Sequence, residues 1–137
     1  PQGNGRVIAV SLIDPSVVRS LDIPDLNLGS VIGIKHSSKT GLIYLLDYDN
    51  SRVVRIRPMG RKTEIISVLS TYRSRMGGSL ERLGWSVDFD VFIDQQGRDC
   101  LIVADTQNER LILWRGDDPI GHDLTGPMQT APCSVTV

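Results

Sequence analysis

Asp99-Cys-Leu-Ile-Val-Ala-Asp-Thr-Gln-Asn-Glu-Arg-Leu-Ile-Leu-Trp114 decides how this chain is read. Cys100–Ala104 and Arg110–Trp114 are apolar runs of strand length, and the unbroken run Leu101–Ala104 suits a strand covered on both faces. Between them, Asp105-Thr-Gln-Asn-Glu109 is rich in residues that accept bent or left-handed backbone, Asn108 above all. The spacing predicts a β-hairpin. Gly41-Leu-Ile-Tyr-Leu-Leu-Asp-Tyr-Asp-Asn-Ser-Arg-Val-Val-Arg-Ile56 repeats the arrangement: apolar run, Asp-x-x-Asn-x-Arg, apolar run. Asp47, Asn50 and Arg52 each stand 58 residues before Asp105, Asn108 and Arg110.

Working outward, Gly5–Asp14 reads as a strand rich in β-branched residues, ended by Asp14-Pro15. Residues 16–28 read as a surface connection, with a short helix over Ser16–Leu21 as the local alternative. Ser30–Lys35 is the next expected strand and His36–Gly41 a turn. Leu42–Leu46 and Arg52–Arg57 form the first hairpin, and Lys62–Leu69 a fourth strand. Residues 70–86 interrupt the rhythm as an exposed excursion, with a helical turn expected at Ser79–Leu83. Val87–Asp94 is again a strand and Gln95–Arg98 a turn. After the second hairpin, a short edge strand is expected near Pro119–Leu124.

His36 and Asp94 read as the ends of equivalent first strands, each eleven residues before its motif Asp. A period near 44 with a 14-residue insertion at 70–86 accounts for the 58-residue offset. Four strands per about 40–45 residues is the blade of a β-propeller.

These residues resemble the NHL-repeat β-propellers, whose repeat runs apolar strand, glycine-bearing turn, then an Ile/Val-Ala-Asp-x-x-Asn-x-Arg-Ile/Leu-like hairpin. Val91–Leu111 follows that pattern closely, and Ile32–Val54 follows it with His36 where an acid is usual. The resemblance implies an all-β fold, a partial β-propeller of four-stranded antiparallel blades, incomplete in this chain. It divides the chain into the end of a preceding blade and a connection (1–29), a blade (30–69), an inserted loop (70–86), a blade (87–124), and a connection with the first strand of the next blade (125–137). The chain opens on Pro1 and closes in what reads as the start of a strand, so it is expected to be a piece of a longer protein. Two blades alone would expose apolar sheet faces.

Bulk composition fits one globular domain: 137 residues, 40% hydrophobic, 23% charged. Cys100 and Cys133 are too few for a disulfide framework and read as packing residues. No apolar run approaches the roughly 20 residues that cross a bilayer. Signal-peptide, lipidation and glycosylation motifs are also absent, but the chain opens on Pro1 rather than Met, and that leaves localisation open. Net charge is −1, unevenly spread. Residues 52–82 hold Arg52, Arg55, Arg57, Arg61, Lys62, Arg73, Arg75 and Arg82 against Glu64 and Glu81; residues 83–137 hold nine acids against three arginines.

The Asp-x-x-Asn-x-Arg triplets, Asp47/Asn50/Arg52 and Asp105/Asn108/Arg110, read as turn builders. The carboxylate accepts backbone N–H groups, Asn takes the left-handed position, and Arg pairs with the Asp or a neighbouring blade. His36 and His122 stand alone, without a nucleophile motif. Asp88 and Asp90 share one face of a strand and read as exposed carboxylates; no calcium loop accompanies them. Gly3-Asn-Gly5 lacks the strand–loop–helix context of a phosphate loop, and no Cys/His metal pattern is present, so no cofactor is expected. The basic segment is the best functional lead: Arg55, Arg57, Arg61, Lys62, Arg73, Arg75 and Arg82 as a binding face for an acidic protein partner. RNA is the alternative ligand, with Tyr72 and Trp85 nearby for stacking. A third reading places the chain in a metal-dependent propeller hydrolase or lyase, with His36, Asp94 and Asp99 converging on an axial ion. The leading expectation is a non-enzymatic interaction scaffold.

Overall fold

The computed structural model describes residues 8–10, 18–20, 27–59, 62–75 and 78–124, with the side chains of 8–10, 18–20 and 62 excluded. Every regular element among them is a strand: Ile8–Val10 (β1), Val18–Ser20 (β2), Val31–His36 (β3), Ile43–Asp47 (β4), Arg52–Met59 (β5), Lys62–Leu69 (β6), Thr71–Arg73 (β7), Leu80–Arg82 (β8), Asp88–Ile93 (β9), Asp99–Asp105 (β10), Arg110–Arg115 (β11) and Ile120–Asp123 (β12). The chain is all-β. β1 and β2 pair antiparallel. The meander β3-β4-β5-β6 is a four-stranded antiparallel sheet, and the second large sheet has the order β8-β7-β12-β11-β10-β9. Among the described residues no sheet closes on itself.

Two local expectations are corrected. Val18–Ser20 is a strand, not part of a helix over 16–21. Leu80–Arg82 is likewise a strand, not a helical turn. β7 and β8 form an antiparallel hairpin, and β7 adds in parallel to the outer edge of β12. The segment read as a free excursion is thus two further strands of the second sheet. Extended backbone wins there because Tyr72 drops into the core while Thr71 and Arg73 face the other way.

The first-strand equivalence is also revised. His36 pairs with Ile43, and Val91 pairs with Leu101. Ile43 and Leu101 are 58 residues apart, so His36 corresponds to Val91, not Asp94. The stretch between the paired Val91 and Leu101 holds three residues more than that between His36 and Ile43, a difference invisible to a count anchored on one motif.

The main core lies between the two large sheets. Leu42, Tyr44, Leu46, Val53 and Leu69 of the first meet Phe89, Leu101, Val103, Ile112 and Trp114 of the second. On the far side of the first sheet Leu45, Val54 and Ile56 cluster with Leu28. On the far side of the second, Cys100, Ile102 and Leu113 form a third cluster. The 58-residue offset gives these faces a simple relationship. Leu42 and Tyr44, which face the second sheet, correspond to Cys100 and Ile102, which face away from the first. Leu101, Val103 and Ile112, which face the first sheet, correspond to Ile43, Leu45 and Val54 on its far side. The sheets therefore stack head to tail, one kind of face on the other kind.

The closest approach is at the first strands. A Cβ on Gly33 would stand 2.6 Å from the Phe89 ring, so only glycine lets β9 close on β3. The position in the first sheet that corresponds to Phe89 is Ile34, which is 56% exposed.

Candidate functional site

Asp47 and Asp105 end β4 and β10 fully buried, and each organises the same clasp. Asp47 Oδ1 accepts the Gly29 N–H at 3.1 Å and Asp105 Oδ1 the Gly84 N–H at 3.0 Å. Asn50 donates Nδ2 to Asp47 Oδ2 at 2.8 Å and to the Asn27 carbonyl at 3.2 Å. Asn108 repeats both bonds, to Asp105 Oδ2 at 2.8 Å and to the Arg82 carbonyl at 3.2 Å. The left-handed residue is the one after the Asn, Ser51 at φ 49° and Glu109 at φ 59°, so the expected placement of Asn50 and Asn108 there is corrected. Asn serves instead through its amide, which ties the turn to an earlier segment.

That earlier segment escaped the sequence reading. Leu28-Gly29 and Leu83-Gly84 precede β3 and β9 in the same way, and a Cβ on either glycine would collide with a turn side chain, Asp49 or Gln107. Their signal is a Leu-Gly dipeptide repeated 55 residues apart, the same offset as the first strands.

The arginines of the triplets part company. Arg52 Nε donates to Asp47 Oδ2 at 2.9 Å and Nη2 to the Asn27 carbonyl at 3.0 Å. Arg110 turns outward along the sheet: its Nε lies 3.5 Å from Asp123 Oδ2 and its Nη1 donates to Tyr72 Oη at 3.3 Å. Burial pushes the Asp105 carboxyl above its ordinary value, opposed by the Asn108 amide and the Gly84 N–H. Burial likewise raises the Tyr72 phenol.

A second polar centre bridges the sheets. The buried Asp99 of β10 accepts Ser37 Oγ and Thr40 Oγ1, each at 2.6 Å, and Tyr44 Oη at 3.0 Å. Burial, with the Asp99 charge beside it, holds the Tyr44 phenol far above its usual value. Arg55 joins this centre: it is 3% exposed, donates to Ser67 Oγ at 2.6 Å, and reaches the Gly116 carbonyl of the other sheet at 2.7 Å.

The expected basic face is accordingly divided. Arg55 is interior, and a bulge between Arg55 and Ile56 separates it from the exposed Arg57, which lies opposite Glu64. Arg61 lies outside the described residues, as does the side chain of Lys62. Arg73 and Arg82 are exposed on the β7–β8 hairpin, where Arg73 Nη1 donates to the Gly78 carbonyl at 2.6 Å. Arg75, also exposed, donates to the Leu124 carbonyl at 2.8 Å. The structure gathers Arg73 and Arg82 with His122 of β12, a residue the sequence left isolated, and leaves Arg57 on the other sheet.

Outside the clasps, the acids of β9 and of the turn after it are engaged. Asp94 accepts the Arg98 and Gln96 N–H groups and the Arg98 guanidinium. The Arg98 N–H, the largest influence, and its guanidinium hold the Asp94 carboxyl below its ordinary value. Asp88 and Asp90, expected as exposed carboxylates, are half-buried, with Lys35 Nζ 4.0 Å from Asp90 Oδ1. Beside Asp94 a cleft of about 330 Å³ opens, floored by Phe92, Cys100 and Leu113 and rimmed by Arg98 and Arg115. Cys100 is a free buried thiol whose ionisation burial pushes up, as fits a packing residue; Cys133 lies outside the described residues. Among the described residues no three His, Cys, Asp or Glu side chains are grouped to hold a metal ion, and no helix is long and apolar enough to cross a membrane.

No protein-family model matches the chain, and no curated protein matches it.

Proposed function

We propose that the chain is a segment of an NHL-like β-propeller that acts as a non-enzymatic interaction scaffold within a larger protein. The observation that carries this reading is the head-to-tail stacking of two sheets built on the same Asp–Asn–Gly clasp. A heterologous contact between like units generates a ring if the rotation closes and an open array if it does not. Each unit here has one face of each kind, and Ile34, the counterpart of the buried Phe89, stands ready to meet a preceding sheet. The clasps support a scaffold rather than a reaction. Their carboxylates are consumed by backbone N–H groups and amides in both units alike.

The test is the structure of the longer protein that contains this chain. Further four-stranded sheets are expected over the free face of β3–β6 and over the outer face of β9–β12, closing into a ring with Ile34 covered and the β7–β8 hairpin outside the stack. Sheets that stop at two, or a metal ion held on the inner strands, would overturn the reading.

A further inference from the structure

We infer that the outer face of the β7–β8 hairpin, where it borders β12 beyond the four strands β9–β12, is a docking surface for an acidic, leucine-bearing polypeptide. The inference deepens the scaffold reading and rests on its interaction role, not on ring closure.

Directly opposed residues in paired strands present their side chains on the same face. The register sets Arg73 opposite Leu80 and Thr71 opposite Arg82 across the hairpin. It sets His122 opposite Arg73 and Ile120 opposite Thr71 across the parallel pair. The other face of β7 and β12 is committed to the core: Tyr72 is buried there, and Gly121 lies beneath the Trp114 ring, while Glu81 of β8, opposite Tyr72, stays exposed. Arg73, Arg82, His122 and Leu80 therefore point together to solvent, and Leu80 is 55% exposed.

The composition of this face selects its partner. Two guanidiniums on adjacent strands offer forked donors to carboxylates, and an exposed leucine beside them offers apolar contact. Asp118 and Glu81 border the face: Asp118 accepts the Ile120 N–H at 3.0 Å with Oδ2 3.8 Å from His122 Nε2, and the exposed Glu81 accepts Ser79 Oγ at 3.1 Å. Arg73 gives Nη1 to the Gly78 carbonyl and keeps its other guanidinium donors, with those of Arg82, for the ligand. An aromatic platform for base stacking is missing from the described face, since Tyr72 points inward; the surface thus favours a polypeptide over RNA. Adding a strand at the β8 edge is disfavoured. β8 is three residues long, and Asn108 already occupies the Arg82 carbonyl. Docking is by the face.

Among the described residues the sheet β3–β6 has no counterpart to the β7–β8 hairpin. A feature added outside the repeating core is free to vary without disturbing the stack.

Fluorescence anisotropy of a labelled peptide of Glu-Glu-Leu repeats tests this on the intact chain, with poly(U) RNA as the second probe. Saturable peptide binding that weakens with salt is expected. Arg73→Glu with Arg82→Glu should lower affinity by at least about tenfold, and Leu80→Ser several-fold. Arg57→Glu, an exposed charge on the other sheet, should leave it unchanged. Circular dichroism of each variant checks that the fold is kept. Absence of saturable peptide binding overturns the inference, as does equal affinity for the Arg73/Arg82 variant and the parent. Tighter binding of poly(U) with the same arginine dependence also overturns it. A negative peptide result beside a closed ring in the longer protein removes this face alone, whereas peptide binding without a ring removes the propeller reading alone.

Discussion

Tyr44 and Asp99 meet across the two large sheets, the phenol Oη 3.0 Å from Asp99 Oδ2 with both side chains buried. Ser37 and Thr40 complete the carboxylate's shell, so one acid from β10 fastens the turn and second strand of the neighbouring sheet. Tyr44→Phe removes one donor and should cost about 1–2 kcal/mol; Asp99→Ala orphans the hydroxyls of Ser37 and Tyr44 in the interior and should cost about 3 kcal/mol or more. Urea unfolding measures both. Equal losses for the two variants would mean that Asp99 does not centre the network.

Gly33→Ala should destabilise by about 1–3 kcal/mol, because its methyl would stand 2.6 Å from the Phe89 ring. Phe89→Leu costs stability alone but should lessen the penalty of Gly33→Ala in a double-mutant cycle. Strict additivity would show that the two positions do not touch.

The two motif arginines should couple to different acids. Double-mutant cycles are expected to give about 0.5–3 kcal/mol for Arg52 with Asp47. Arg110 should couple more strongly to Asp123 than to Asp105, although its place in the motif matches Arg52. A larger Arg110–Asp105 term would overturn the geometry described.

Asp105 and Asp94 should show pH signatures of opposite sign. Burial raises the Asp105 value in the folded state, so the folded chain binds that proton more tightly than the unfolded chain. The stability advantage of the parent over Asp105→Asn should therefore shrink as pH rises from the unfolded value through the raised folded one. Asp94 is lowered by the Arg98 N–H and guanidinium. Its contribution is present above the unfolded value and is lost as pH falls through the folded one, so the advantage over Asp94→Asn should grow with pH. Unfolding free energies between roughly pH 2 and 6 cover both windows. Slopes of the same sign would contradict one assignment.

The strands themselves were readable because each carries its own pattern. β10 is a seven-residue run with every residue buried, and β4–β5 and β10–β11 are joined by turns whose Asp and Asn announce themselves. The insertion was misread because Leu80–Arg82 carries no alternation of its own. It is a strand only because β7 offers a pairing edge, and β7 in turn is held by β12. The partners of long side chains were also beyond sequence. Arg55 and Arg57 differ by two residues, yet one is sealed against Gly116 and the other is exposed.

By itself the sequence determined the hairpins and their repetition, because hydrophobic period and turn chemistry act over a few neighbouring residues. The tertiary structure alone decided that the sheets stack head to tail, that Arg55 and Asp99 become interior, and that Arg73, Arg82 and His122 share a face. Those outcomes depend on groups far apart in the chain being desolvated together, and the cost of burying a charge is set by the partners the fold brings to it.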